Sequence, residues 1–345
     1  MSAPFVTAIV PCRNEERYIR ACLDSILGSD YPRDRLEVIV ADGMSDDRTR
    51  AIIAEFAARD SRVQLLDNLR RIVPSGLNAA IRIARGDIIV RMDAHAFYPP
   101  EYLAALVRAL AETGADNVGG RLVTLPADDS AEARAIALAM SHPLGVGNSY
   151  FRIGVHTRRW VDTVQFGCYR RDVFDRIGLF DEELIRNQDD EFNARLLTRG
   201  GRILLIPDVS LYYYARRTLR QVARMCYQYG VFKPLAARKV GRITTVRQLV
   251  PPAFLLTVVG LAALSPWHPT LGVTLGGLLA LYAAAVAGCA AWLGRHHGPA
   301  CATWLGAVFP TMHVSYGLGF LRGLVGLLNA AGTHSPDATA VPLSR

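Results

Sequence analysis

Four clusters of polar residues carry the chemistry that this chain offers. Asp93-Ala94-His95 follows the apolar run 88–92, so a carboxylate and an imidazole stand two residues apart where a buried strand stops. Open α/β sheets bind ligands at the carboxyl ends of their strands, and this pair suits a divalent cation or a nucleotide; an Asx turn that merely caps the strand is the plain alternative. Asp42 ends a second run, 38–41, and leads through Gly43 into the polar turn 44–49, where its carboxylate can accept from a nucleoside. Pro11-Cys12-Arg13-Asn14-Glu15-Glu16 closes the first run in another polar turn. Farther on, Asp189, Asp190 and Glu191 stand side by side at a helix start. The helix dipole alone would favour acids there, and neighbouring side chains diverge by about 100°, so only one or two can face a common site.

These residues need a scaffold that brings strand ends together. Apolar periodicity predicts strands at 5–10, 36–41, 63–66 and 87–92 and helices at 18–27, 49–58 and 76–84. That alternation is an α/β pattern with a Rossmann-like, mostly parallel sheet, which sets three polar strand ends at one edge. The six cysteines are scattered without a Cys-x-x-Cys pair and read as reduced thiols, not as a zinc site. The first residues lead straight into a strand, so no signal peptide is expected.

From Leu249 onward the chain is almost uncharged. Residues 249–264 and 270–293 are apolar, the second long enough to cross a hydrocarbon layer of about 30 Å, and 301–321 is a third candidate interrupted by Pro310 and His313. Gly272 with Gly276, and Gly319 with Gly323, have the small-xxx-small spacing of close helix contacts in lipid. Between Arg216 and Arg247 lie nine Lys and Arg residues and no acid: Arg216, Arg217, Arg220, Arg224, Lys233, Arg238, Lys239, Arg242 and Arg247. Such a run stays on the cytoplasmic side and meets anionic headgroups, which places the N-terminal domain in the cytoplasm and the linker 265–269 outside. The net charge of +8 comes without a nucleic-acid motif, so no nucleic-acid partner is expected. The expected organisation is a catalytic domain at 1–235, a basic linker at 236–248, a multi-pass membrane domain of two or three helices at 249–328 and a disordered tail at 329–345.

Pro11-x-Arg13-Asn14-Glu15-Glu16, Asp42-Gly43-x-Ser45-x-Asp47-x-Thr49, Gly76-Leu77-Asn78-Ala79-Ala80, Asp93-Ala94-His95 and Asn187-Gln188-Asp189-Asp190-Glu191-Phe192 occur in the order and approximate spacing of glycosyltransferase family 2. The chain resembles that family from the first strand to about residue 235. Asp93-Ala94-His95-Ala96 with Tyr98-Pro99, the run 187–193 and His313-x-Ser315-Tyr316-Gly317-Leu318-Gly319-Phe320 resemble its succinoglycan-biosynthesis (ExoA-like) branch.

The resemblance implies a GT-A fold and inverting transfer from a nucleotide sugar, such as a UDP-hexose, to a lipid-linked or polysaccharide-precursor acceptor. The donor would be held near Pro11, Arg13, Glu15, Asp42 and Asp93, with Arg71 as a cation for the leaving diphosphate. Asp93 and His95 would hold a divalent metal, and an imidazole ligand favours Mn²⁺ while leaving Mg²⁺ possible. Asp189 would be the base, with Asp190 next in line. Gln221-Val222-Ala223-Arg224 is followed by Met225 where processive synthases of the family carry Trp, which fits addition of a single sugar. Gly167, Asp162, Arg170 and Arg171 resemble acceptor-side positions, the two arginines serving either phosphate or plain surface charge. A polyprenyl-phosphate glycosyltransferase and a non-catalytic nucleotide-sugar-binding membrane protein are the alternatives.

Overall fold

The computed structural model describes residues 3–241 and 245–329; the expected tail at 329–345, apart from Asn329, and Arg242 of the basic run lie outside them. The chain forms two compact units, one running up to Val123 and including Tyr150–Tyr213, the other made of Thr124–Ser149 and the chain from Tyr214 onward.

The first unit begins with β1 (Val6–Cys12), α1 (Ile19–Leu27), β2 (Leu36–Asp42), α2 (Thr49–Arg59), β3 (Val63–Asp67), α3 (Val73–Ile83) and β4 (Ile88–Arg91). β5 (Ala96–Phe97), α4 (Tyr102–Thr113) and β6 (Asn117–Leu125) follow. After the two short helices α5 (Ala131–Ala139) and α6 (Pro143–Val146) of the second unit come α7 (Tyr150–Ile153), β7 (Arg159–Trp160), β8 (Cys168–Arg170), α8 (Asp172–Ile177), α9 (Gln188–Thr198) and β9 (Ile203–Tyr214).

One sheet runs in the order β3-β2-β1-β4-β8-β6-β9-β5, with β7 beside β9. β1 pairs in parallel with β2 and β4, and β2 with β3. Every residue of β1, β2 and β4 is buried, as strands covered on both faces must be, which is why they read as largely apolar runs. The expected mostly parallel sheet holds for these four strands; beyond β4 the sheet turns antiparallel, through β4–β8, β8–β6, β9–β5 and β9–β7. The result is a curled mixed sheet.

The second unit adds α10 (Leu219–Val240), α11 (Val250–Leu264), α12 (Pro269–His297) and α13 (Pro299–Asn329). The expected boundary at 235 falls inside α10, which is continuous across it. Two segments, Val246–Leu264 and Pro269–His297, are long and apolar enough to cross a membrane, and large apolar side chains such as Leu256, Val259, Val273 and Leu281 point outward from them. α13 runs unbroken through Pro310 and buries Leu305, Val308, Phe309 and Met312. Its Gly319 and Gly323 let α10 come so close that a Cβ there would stand 2.1 Å from the Tyr227 carbonyl oxygen and 2.2 Å from that of Val231. Gly276, of the other glycine pair, has nothing within 4 Å, so among the described residues only one of the two spacings marks a helix contact. His313 in this apolar helix is satisfied on both nitrogens, by Tyr282 Oη at 2.8 Å and the Leu144 carbonyl at 2.7 Å.

Candidate active site

The first unit gathers the polar strand ends at the carboxyl edge of β1, β2 and β4. Asp42, fully buried at the end of β2, accepts from Arg50 Nη1 at 2.7 Å, from the Ser45 backbone N–H at 3.0 Å and from the Ser45 hydroxyl. Arg50 also pairs with Asp67 at the end of the neighbouring strand β3, at 2.7 Å. Arg50 is thus the centre of a carboxylate–guanidinium–carboxylate bridge from Asp42 to Asp67, and Arg50 and Asp67 are site residues that motif reading passed over. Cys12 Sγ stands 3.7 Å from Asp42 Oδ1, and burial together with that carboxylate pushes its thiol well above the usual range.

The two turns at this edge are laced together. Asn14 N–H donates to Ser45 Oγ at 2.8 Å, Asp46 N–H to Asn14 Oδ1 at 3.1 Å, Glu15 N–H to Thr49 Oγ1 at 2.7 Å and Arg48 N–H to Glu16 Oε2 at 3.1 Å. Asn14 and Met44 take positive φ of 56° each, a conformation an Asn tolerates and a Met adopts only where its surroundings fix it. Pro11 lies inside β1, in register with Ala41, and Arg13 lies over Gly43, where a Cβ would meet it at 3.2 Å. Arg71, exposed in the turn before α3 at φ 60°, makes no ion pair among the described residues and is available to an anion.

Beyond β4, Asp93 keeps its carboxylate partly exposed, while His95 is 8% exposed. His95 Nδ1 stands 3.1 Å from Glu15 Oε1 and 3.3 Å from Asp93 Oδ1, and Tyr213 packs on the imidazole with ring centroids 4.9 Å apart. Among the described residues no group of three or more His, Cys, Asp and Glu side chains is arranged to enclose a metal ion by itself. Asp93 nevertheless fits a hard cation of the Mg²⁺ or Mn²⁺ kind, which needs only one or two protein carboxylates when substrate phosphates and water complete its shell. The separations at His95 Nδ1 suit either a ligand beside Asp93 or a hydrogen bond that aims the two carboxylates.

The third acidic cluster sorts itself by its partners. Asn187, at φ 62°, starts α9. Glu191 pairs with Arg195 one turn on, at 2.7 Å, and Arg195 also holds the carbonyls of Ile177 and Leu179, so this acid belongs to the scaffold. Asp189 instead pairs with Nη1 of Arg91, a residue 7% exposed on β4. Burial works against the Arg91 charge, but Asp189 and Asp93 outweigh it and raise its pKa above the ordinary value. The guanidinium also lies 5.5 Å from the centre of the Phe166 ring. Asp190, the next residue after Asp189, is half-buried. The orientation of α9 is pinned by Asn193, which accepts from Asn117 Nδ2 at 2.9 Å and donates to Thr163 Oγ1 at 2.8 Å. Gly167 allows this approach, since a Cβ there would lie 2.2 Å from Asn117 Oδ1.

Other expected contacts serve the frame. Arg171 donates to the carbonyls of Gly86 and Ala84, ahead of β4 and so at the opposite edge of the sheet, and Arg170 pairs with Asp116 at 3.1 Å. Asn78 holds the backbone of Phe180 from both sides. In the second unit, Gln221 accepts from the Thr218 N–H at 3.2 Å and completes the N-terminal cap of α10, while Met225 is buried, so that stretch has a structural explanation.

The family described as Glycosyl transferase family 2 matches residues 7–178. The chain is 32% identical over 324 residues to the succinoglycan biosynthesis protein ExoA of Rhizobium meliloti (strain 1021), covering 92% of this chain and 94% of that one. It is 29% identical over 245 residues, 68% of this chain and 74% of the other, to a dolichyl N-acetyl-alpha-D-glucosaminyl phosphate 3-beta-D-2,3-diacetamido-2,3-dideoxy-beta-D-glucuronosyltransferase of Methanococcus voltae. Among solved structures, the mannosyltransferase PcManGT from Pyrobaculum calidifontis, in complex with GDP-Man and Mn²⁺, superposes with a TM-score of 0.60 at 24% identity, covering 94% of this chain and 88% of that one. S. aureus TarS 1-349 in complex with UDP-GlcNAc gives 0.52 at 16% identity, over 93% of this chain and 92% of the other. At these identities the structural likeness concerns the fold.

Proposed function

Because the chain belongs to glycosyltransferase family 2 and is a glycosyltransferase, we propose that it moves a sugar, with inversion, from a nucleotide-sugar donor to a lipid-linked or polysaccharide-precursor acceptor at a membrane. The observation that carries this reading is the layout of β4, which delivers Arg91 to Asp189 and, two residues later, Asp93 to the open edge of the sheet. One strand thereby spaces a candidate base from a candidate diphosphate site.

Asp189 takes the proton of the acceptor hydroxyl, which is a poor nucleophile without a base. Arg91 holds that carboxylate in place, and Asp190 is the second choice for the same role. Asp42, held by Arg50 and Ser45, shapes the nucleoside side together with Pro11, Arg13 and Glu15. Asp93, with His95 beside it, holds a divalent cation, and Arg71 adds positive charge toward the leaving nucleoside diphosphate. When bound, such a cation neutralises the charge that develops as the glycosidic bond breaks. The Mn²⁺ in the PcManGT complex supports this reading, and its GDP-Man together with the UDP-GlcNAc of the TarS complex supports a nucleotide sugar as donor. α11 and α12 span the membrane, with the exposed cations Arg220, Arg224, Arg238 and Lys239 of α10 toward cytoplasmic headgroups.

The test incubates membranes containing the full chain with labelled UDP- and GDP-sugars and follows label into the lipid extract. Metal-dependent transfer that extends a lipid-linked saccharide by one sugar is expected. A mild-acid-labile lipid monophosphate sugar would assign the chain to the polyprenyl-phosphate class, and no transfer from any donor would refute the reading.

A further inference from the structure

Three guanidiniums surround the short helix α7 in the first unit. Arg152 lies on α7 itself, 5.5 Å from the centre of the Phe151 ring and 5.9 Å from that of Tyr213. Its Nη1 is buried and has no hydrogen-bond partner among the described residues. Arg121 reaches in from β6 to the turn that ends α7: at Gly154, where φ is +88°, a Cβ would stand 3.0 Å from Arg121 Nε. Arg159, on β7, stacks on Tyr150 with its guanidinium 4.0 Å from the ring centre and donates to the tyrosine hydroxyl at 3.1 Å. None of the three has an ion pair among the described residues. The neighbouring Arg158 takes two carboxylates, Glu112 at 2.7 Å and Asp208 at 3.5 Å, so acids are within reach of this face and are engaged elsewhere.

Gathering like charges around one turn is unfavourable, and burying part of a guanidinium without a partner is more so. Such an arrangement is stabilised when an anion arrives. The planar fork of Arg matches phosphate oxygens two at a time, and a buried donor gains most from them. The location is also informative. The Tyr213 ring that Arg152 approaches is the same ring that packs on His95, whose Nδ1 edge faces Asp93 and Glu15. Arg152 therefore neighbours the same tyrosine that borders the carboxylates assigned to the donor.

We propose that Arg152, with Arg121 and Arg159, forms a phosphate-binding subsite that receives the phosphate or diphosphate of a lipid-linked acceptor. This rests on the acceptor class proposed above, and the Methanococcus relative, whose name describes a dolichyl-linked sugar phosphate, is consistent with it.

The test measures binding of farnesyl diphosphate to the purified full chain in detergent, with farnesol as the phosphate-free control and UDP and GDP as donor-side probes. R152Q and R121Q/R152Q should weaken farnesyl diphosphate binding by about tenfold or more, the equivalent of one charge-assisted hydrogen bond, with farnesol and nucleotide affinities unchanged. R152K should keep part of the affinity. R121Q alters only an exposed side chain, so its smaller loss reads the subsite even if R152Q folds poorly. Unchanged farnesyl diphosphate binding in R121Q/R152Q would overturn the proposal. A parallel loss of nucleotide affinity would assign the cluster to the donor diphosphate instead, and a loss confined to binding of phosphatidylglycerol vesicles would assign it to headgroups; either result also overturns it. Binding is read without turnover. A chain that binds farnesyl diphosphate yet transfers no sugar would sink the proposed function and leave the subsite standing, and an active enzyme indifferent to both substitutions would do the reverse.

Discussion

Replacing Asp189 by Asn is the direct test of a base, yet the structure predicts that this substitution alone misleads. Arg91 is 7% exposed, and Asp189, whose side chain is 22% exposed, supplies its main counter-charge. Removing one member of a buried pair leaves the other charge uncompensated, at a cost of about 3–5 kcal/mol. For a domain of about 150–250 residues each kcal/mol moves the unfolding midpoint by about 2–4 °C, so D189N should unfold roughly 6–20 °C below the wild type. Asp93 also attracts Arg91, which favours the lower half of that range. R91M should cost less, because the carboxylate it strands can still reach water. The double variant R91M/D189N removes both charges, so its midpoint should recover most of the loss. Its turnover should not recover, because a general base contributes about 10²–10⁴-fold. The assay pairs thermal unfolding of the purified full chain with sugar transfer well below the lowest midpoint. A double variant that regains activity together with stability would show that Asp189 is a structural counter-ion and not the base. D189N as stable as the wild type would refute the buried pair itself.

R50M strands the fully buried Asp42 and should cost about 2 kcal/mol or more while weakening nucleotide binding; unchanged nucleotide affinity by calorimetry would remove Asp42 from the donor site. Chelated enzyme should recover turnover better with Mn²⁺ than with Mg²⁺, and H95D should narrow that preference; equal recovery in both proteins would mean that His95 only orients Asp93 and Glu15. G319A should destabilise the second unit by about 1–3 kcal/mol, because its Cβ would press on the Tyr227 carbonyl, whereas G276A, in open space, should leave the midpoint in place; equal effects would deny the close crossing of α10 and α13. A reporter inserted at 265–269 should be reached from outside the cell, and its protection in right-side-out vesicles would reverse the proposed orientation.

The parallel half of the sheet was legible because β1, β2 and β4 are covered on both faces and so read as largely apolar runs that stop at polar turns. The antiparallel half was not. β8 is only three residues long, β6 carries Gly119 and Gly120 where the sheet needs close approach, and such strands are recognised through partners far away in sequence. The membership of α5 in the second unit was hidden for the same reason, because the apolar face of Ala135, Ile136 and Ala139 is covered by elements that come much later in the chain. Two buried strands nevertheless advertised their partners. A charge inside an apolar run demands a counter-charge or hydrogen bonds: Glu37 in β2 is met by the Thr7 hydroxyl at 2.6 Å and by Arg85 at 2.7 Å, and Arg91 in β4 is met by Asp189. Reading Arg91 as a demand for an acid shows that a distant carboxylate must reach β4, and the structure supplies it from the acidic cluster of α9. Asp93 follows two residues after Arg91, just past the end of β4, so the separation of the proposed base from the proposed diphosphate site is set by where that strand stops and by the first turn of α9, which carries Asp189.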